Sequence, residues 1–196
     1  MPRAGLTTDR VVRAAADLAD EVGLEAATVS AVARALGVQA ASLYSHVDGA
    51  VGLQEGVARL ALDELADLAS EAVAGRSGRD ALVGFATTYR DYARRHPGRY
   101  AATRVRLAPD SPAVAAGRRH AALTRAVLRG YRLDEPDTVH AVRLLGSVIH
   151  GYTELELSGS FDHSEPPSEE SWSRILDTLH ATLGIWNGRG AATSPT

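Results

Sequence analysis

The chain has 196 residues, no cysteine and a formal net charge of −3. Disulfides, thiolate metal sites and a cysteine nucleophile are therefore excluded, and no run of 18 apolar residues offers a membrane span. The composition is 45% hydrophobic, with many Ala and Leu and long stretches free of Gly and Pro, which points to an all-α protein in the cytoplasm. Charge is distributed unevenly: residues 90–132 carry eleven Arg against two acids, whereas residues 133–196 carry ten acids against three Arg. Two readings of that asymmetry stand open. The arginines pair with the acidic end of the chain, or they attract an anionic effector. Every basic residue is Arg and none is Lys, a bias that coding composition explains without any demand from function.

In chain order, Val11, Ala14, Ala15, Leu18 and Val22 recur at helical spacing after Thr7 and Thr8, and Gly23 ends the pattern, so a helix is expected over about 8–22. Thr28 is placed to cap a second helix that carries Val29, Val32, Ala33 and Leu36 and stops at Gly37. A third helix is expected over about 39–46, with Val38, Leu43 and Val47 on its buried side. A long pattern covers about 50–74, and another begins at Asp80 and ends at His96-Pro97-Gly98. Short and longer helices follow over about 99–107 and 113–131. A long helix is expected over about 137–157 and a last one from Ser168 to about Trp186. No strand pattern emerges. The expected domains are 1–50, 51–187 and a disordered tail 188–196.

The stretch Leu36-Gly37-Val38-Gln39-Ala40-Ala41-Ser42-Leu43-Tyr44 breaks a good helix at a glycine and follows it with a slim, polar segment. Two helices joined at a glycine form a helix-turn-helix, in which the turn needs φ > 0 and the crossing needs a small residue such as Ala33. Val32, Leu36, Val38 and Leu43 are expected to staple the pair. A slim second helix fits a major groove about 12 Å wide, which makes Gln39 to Ser42 a candidate DNA-reading head. Arg3, Arg10, Arg13 and Arg34 supply nearby positive charge, although residues 1–50 sum to −2.

The segments Thr8-Asp-Arg-Val-Val-Arg-Ala-Ala, Gly23 to Val29, Val32 to Val38 and Ser42-Leu43-Tyr44-Ser45-His46, in this order and near the N-terminus, resemble the N-terminal domain of the tetracycline-repressor family. The resemblance implies a homodimeric DNA-binding regulator, in most cases a repressor, with a three-helix N-terminal DNA-binding domain and a larger helical domain for effector binding and dimerisation. It also implies that Thr28, Tyr44 and His46 touch phosphates, and that Gln39, Ala40 and Ser42 lie at the base-reading end of the third helix. Two positions depart from the family pattern. Val47 replaces the usual Phe, and Ala50 replaces the usual Lys, so backbone N–H groups at the next helix start would have to hold that phosphate. More loosely, Gly75 to Leu82, His96-Pro97-Gly98-Arg99-Tyr100, His150-Gly151-Tyr152, Leu155-Glu156 and Gly159-Ser160-Phe161 resemble the branch with a WHG-type regulatory domain.

Phe85, Tyr89, Tyr92 and His96 share one helix face, and Tyr100 follows soon after. Such a row is core, or it is one wall of an effector pocket with phenol groups as polar handles, opposed by His150 and Tyr152. Asp137-x-x-His140, Asp177-x-x-His180 and His150-x-x-x-Glu154 place acids and imidazoles on shared faces, which keeps a helical metal-dependent enzyme as an alternative. A helical binding module that no longer uses DNA is another. No phosphate loop, nucleophile elbow or triad signature is present, and no enzyme, cofactor or metal is expected. The apolar faces of the last two helices, including Val142, Leu145, Ile149, Ile175, Leu179 and Leu183, suggest a symmetric four-helix dimer interface.

Overall fold

A computed structural model describes residues 5–186. Among these residues the chain forms eight α-helices, two 3₁₀ turns and no strand, which makes the protein all-α. The helices are α1 Thr8–Val22, α2 Val29–Leu36, α3 Gly49–Val73, α4 Gly78–Arg95, α5 Pro97–Ala102, α6 Ala113–Leu128, α7 Glu135–Leu157 and α8 Ser168–Trp186. The expected tail 188–196 lies outside the described residues. The chain divides into two compact units. The first comprises residues up to Leu65 together with Tyr92–Arg118, and the second comprises Ala66–Asp91 and Arg119 onwards.

Local chemistry sets the first unit's helix ends. Thr7 caps α1 by accepting from Arg10 N, and Gly23 ends it at φ 89°. Thr28 caps α2 by accepting from Ala31 N, and Gly37 ends it in the left-handed conformation at φ 67°, ψ 32°. Val11, Val12, Ala15, Ala16, Val32, Ala33, Leu43, Leu53 and Val57 close into one core. Val38 is the exception among the expected staple residues, since it lies 36% exposed. The chain leaves Gly37 in a direction that turns this side chain outward, and Leu43 and Val47 take the buried positions instead.

The expected third helix over 39–46 is shorter and tighter. A 3₁₀ turn, Ala40–Ser42, continues as turns to His46. Ser45 donates its hydroxyl to Ser42 O at 3.0 Å, a local bond that competes with regular helix in a segment of small, weakly packing residues. Other boundaries also move. The short helix begins at Pro97 because proline suits the first helical turn, and it ends at Ala102. Likewise α7 begins at Glu135, with Pro136 in its first turn and Asp134 accepting from Asp137 N. The segment expected as one helix over 113–131 is α6 followed by a 3₁₀ turn, Arg129–Tyr131.

Helix α5 rests on α1 at a point where only glycine fits. A Cβ on Gly98 would stand 2.0 Å from Ala19 O and 2.6 Å from Asp20 N, both backbone atoms that no rotamer change can move. In the second unit Leu82, Phe85, Leu128, Leu145, Ile149, Trp172, Leu176 and Leu183 are buried. Arg90 is only 2% exposed among them. It holds Glu156 by two bonds of 2.8 and 2.6 Å and Glu169 by one of 2.6 Å, with its guanidinium 5.4 Å from the Trp172 ring centroid. Ser168 donates to the same Glu156 carboxylate at 2.7 Å, which ties the start of α8 to α7.

Gly98→Ala should lower stability by about 3 kcal/mol or more, through a backbone clash that cannot relax, and so lower Tm by about 6–12 °C. Gly117→Ala, where an added Cβ meets nothing within 4 Å, should instead raise stability by up to about 1 kcal/mol. Thermal unfolding of both variants checks this. Equal Tm values would show that α5 can lift from α1 at no cost.

Candidate functional site

The turn after α2 presents a compact polar surface. Leu43 and Val47 are buried and anchor it from below, while Gln39, Ala41, Ser42, Tyr44 and Ser45 are exposed and Ala40 and His46 are half-buried. Tyr44 is 61% exposed, a large outlay of aromatic surface for a side chain with no packing role. Thr28 sits at the start of α2, its hydroxyl oxygen accepting from Ala31 N at 3.2 Å. Thr8 donates to the His46 carbonyl at 3.2 Å, which ties the start of α1 to the end of this segment. Val38, expected as a buried staple, instead presents an exposed side chain next to Gln39 in the chain. Val51 is 70% exposed in the first turn of α3 beside Ala50. Arg10, Arg13 and Arg34 are exposed in the same unit, and Arg3 lies outside the described residues.

The acids that depress the N-terminal charge are partly spent inside this unit. Arg99 pairs with Asp17, with Asp20 at 3.2 Å and with Glu64 at 3.4 Å. Asp20 also accepts from the Arg99 backbone N at 2.8 Å and lies 3.0 Å from His96 Nδ1. Tyr92 donates its hydroxyl to Glu64 at 2.8 Å, and burial followed by that bond pushes the phenol above its ordinary range. The His96-Pro97-Gly98-Arg99-Tyr100 motif is thus a clamp on α1 and α3: Arg99 pairs with carboxylates of both helices, His96 meets Asp20, glycine permits contact, and Tyr100 is fully buried.

The expected effector residues fall into two groups. Tyr92 and Tyr100 lie in the first unit, where Tyr92 serves Glu64 and Tyr100 carries Arg104 over its ring at 4.8 Å. Phe85, Tyr89, His150 and Tyr152 lie in the second. There the Phe85 and Tyr89 rings are 4.6 Å apart, and the His150 ring meets Tyr89 edge-on at 6.1 Å. The Tyr89 hydroxyl also bonds His120 Nδ1, a partner on α6 that sequence reasoning did not single out because it lies 31 residues away. Tyr152 turns aside. It donates to Ser168 O at 2.5 Å and packs between Phe161 and Trp172, with its phenol raised by burial and then by Glu156.

The Asp177–His180 pair is engaged elsewhere. Asp177 accepts from Arg79 at 2.6 and 2.8 Å, while His180 Nδ1 lies 2.9 Å from the Tyr131 hydroxyl, whose pKa burial pushes up to about 12. Among the described residues no three His, Asp or Glu side chains gather as a metal-binding group, and no helix is long and apolar enough to cross a membrane.

A capped helix, a left-handed glycine and a short polar segment seated on two buried side chains define a helix-turn-helix DNA-binding unit. Residues 11–46 match the model of the tetR family of bacterial regulatory proteins, and residues 82–179 match a tetracyclin repressor-like C-terminal domain. The chain is 37% identical over 161 residues to an uncharacterised helix-turn-helix transcriptional regulator of Mycobacterium tuberculosis, an overlap that covers 81% of this chain and 74% of that one. A solved protein of unknown function from Rhodococcus sp. RHA1 has the same fold, with a TM-score of 0.77 at 21% identity over 94% of this chain and 99% of that one. A TetR variant from Acinetobacter baumannii AYE, in complex with minocycline, gives a TM-score of 0.65 at 22% identity over 93% and 99%. The chain belongs to the tetR family and is a DNA-binding transcriptional regulator.

Proposed function

We propose that this regulator is a cytoplasmic, homodimeric repressor that acts by binding and not by catalysis, and that a small molecule releases it from its operator. The exposed reading segment between Gly37 and Val47 carries the proposal. Gln39 at its start bonds a base edge, and adenine is the base that fits an amide in two-point contact. Ala40, Ser42 and the exposed Val38 lie within reach of base edges or methyl groups, while Thr28, Tyr44 and His46 hold the DNA backbone. The first turn of α3 replaces the lysine that Ala50 lacks by offering backbone N–H groups to a phosphate.

The effector contacts Phe85, Tyr89, His120 and His150, a mostly apolar wall whose phenol and imidazoles serve as polar handles. Release follows when the effector favours the conformation whose two reading heads no longer match the operator spacing. Dimerisation uses the outer faces of α7 and α8. Leu145, Ile149, Leu179 and Leu183 are buried within the subunit, whereas Leu155 is 49% and Ile185 66% exposed on those two helices. Apolar side chains left on neighbouring helices suit a self-complementary contact.

Gln39→Ala should cost about 1–3 kcal/mol on the operator and relax preference at one base pair. Tyr44→Phe should weaken specific and non-specific DNA alike. Selection from random DNA followed by titration checks both, and an unchanged consensus for Gln39→Ala would remove it from base reading. In sedimentation, the wild-type chain should be a dimer at micromolar concentration, and Leu155→Asp with Ile185→Asp should weaken it at least about tenfold, as two charges enter an apolar contact. A monomeric wild type would end the dimer proposal. Tyr89→Phe should raise the effector concentration needed for release, through loss of about 0.5–1.5 kcal/mol of binding, with operator affinity without effector unchanged. Release at the wild-type concentration would take the Tyr89 hydroxyl out of the site.

A further inference from the structure

The basic segment 90–132 is only partly consumed by ion pairs. Arg90 serves Glu156 and Glu169, Arg99 serves Asp17, Asp20 and Glu64, and Arg119 serves Asp67. Arg129 and Arg132 have no carboxylate partner among the described residues, and both line one cavity of about 360 Å³ at the end of α6. Arg125 joins them there, together with Leu128, Leu133 and Thr138. Arg125 reaches Glu135 across the rim at 3.2 Å, an exposed pair in which the carboxylate is 81% accessible and held weakly. Three guanidinium groups therefore face one half-open space with a single loosely held acid between them.

The backbone adds a second observation. Arg132 is the one non-glycine residue with positive φ among the described residues, at φ 54°, ψ 38°. A left-handed position of this kind suits Gly or Asn, and an arginine there is the more demanding choice. It sets the Arg132 side chain on the same cavity as Arg129. A neighbouring cavity of about 390 Å³ supplies a third observation. It is lined by Ser70, Ala122, Leu123 and Ala126, and Arg129 belongs to both cavities. Arg119, already bound to Asp67 at 2.6 Å, stands at its edge. An apolar trough thus leads to a cluster of guanidinium groups, and Arg129 stands where the two spaces share a wall.

We propose that the end of α6 is a second ligand site, separate from the Tyr89–His120–His150 wall, which takes a phosphate monoester or diester carrying an apolar arm. The phosphate sits among Arg125, Arg129 and Arg132, because planar guanidinium forks match phosphate oxygens in paired hydrogen bonds. The apolar arm lies along Ala122, Leu123 and Ala126, where three small or aliphatic side chains leave room. Glu135 opposes the anion and limits its affinity.

The test titrates the full-length protein with dodecyl phosphate below its micelle concentration, with inorganic phosphate and dodecanol as partial ligands. Dodecyl phosphate should bind saturably, at least about tenfold tighter than either partial ligand. The double variant Arg129→Gln/Arg132→Gln should lose about tenfold or more, since each glutamine removes a charge-assisted contact. Both residues are exposed, so this variant should keep the wild-type Tm. Glu135→Gln should bind several-fold tighter, an opposite sign that a merely structural role for the loop would not produce. Vesicles of phosphatidylcholine with and without phosphatidate separate a soluble ligand from a lipid head group. Arginine-dependent sedimentation on the phosphatidate vesicles alone would assign the phosphate to a membrane source, whereas no sedimentation assigns it to a free molecule. Equal affinity of wild type and the double variant for dodecyl phosphate would overturn the site, and so would tightening of neither ligand by Glu135→Gln.

Discussion

The approach of Gly98 to the Ala19 carbonyl is the contact on which the first unit depends. It brings the backbone of α5 against the last turn of α1 closer than any side chain allows. At that distance the Arg99 backbone N reaches Asp20 while its guanidinium spans Asp17, Asp20 and Glu64. Three carboxylates share this one cation, and Asp20 also meets His96 Nδ1 at 3.0 Å, so loss of any partner disturbs the charge balance of the others. Helix α1 in turn packs against the segment after Gly37 through Val11, Val12 and Ala15, which sit in one core with Leu43 and Val47.

The second unit solves a similar problem with a buried cation. Arg90 lies 2% exposed, and breaking such a pair by removing one partner leaves a charge stranded, so the position resists drift. Glu156, Glu169, Ser168 and Trp172 surround it from α7 and α8, and Trp172 Nε1 donates to Thr87 on α4 at 3.4 Å. The connection between α7 and α8 is thereby tied to α4 at the point where the two helices that would carry the dimer contact meet. The charge asymmetry of the sequence is only half explained by pairing within the acidic end. Arg90 and Arg125 bond acids beyond residue 133, but Arg99 and Arg119 turn back to acids before residue 68.

The segment after Gly37 shows what small residues do to local structure. Ala40, Ala41, Ser42 and Ser45 lack the bulk to bury a regular helix, and the serine hydroxyl engages the backbone, so the segment tightens into a 3₁₀ turn held by Leu43. The same smallness leaves Tyr44 61% exposed.

Features that depend on neighbours in sequence were legible without coordinates. Helical periodicity, Thr7 and Thr28 as caps, and Gly23 and Gly37 as stops gave α1 and α2 their bounds, because capping and positive φ are decided within four residues. The all-α class and the helix-turn-helix followed from the same local rules. Packing across the chain was not legible. Phe85, Tyr89 and Tyr92 stand at i, i+4 and i+7, but that spacing fixes only a shared face and not what covers it. Tyr89 meets His120 and Tyr92 meets Glu64, partners 31 and 28 residues away that no periodicity specifies. Val38 reads as a staple residue by hydropathy, and the direction in which the chain leaves Gly37 turns it outward. The role of Gly98 is likewise a tertiary fact, since its sequence context, a proline-led turn, permits many residues and only the nearness of Ala19 forbids them.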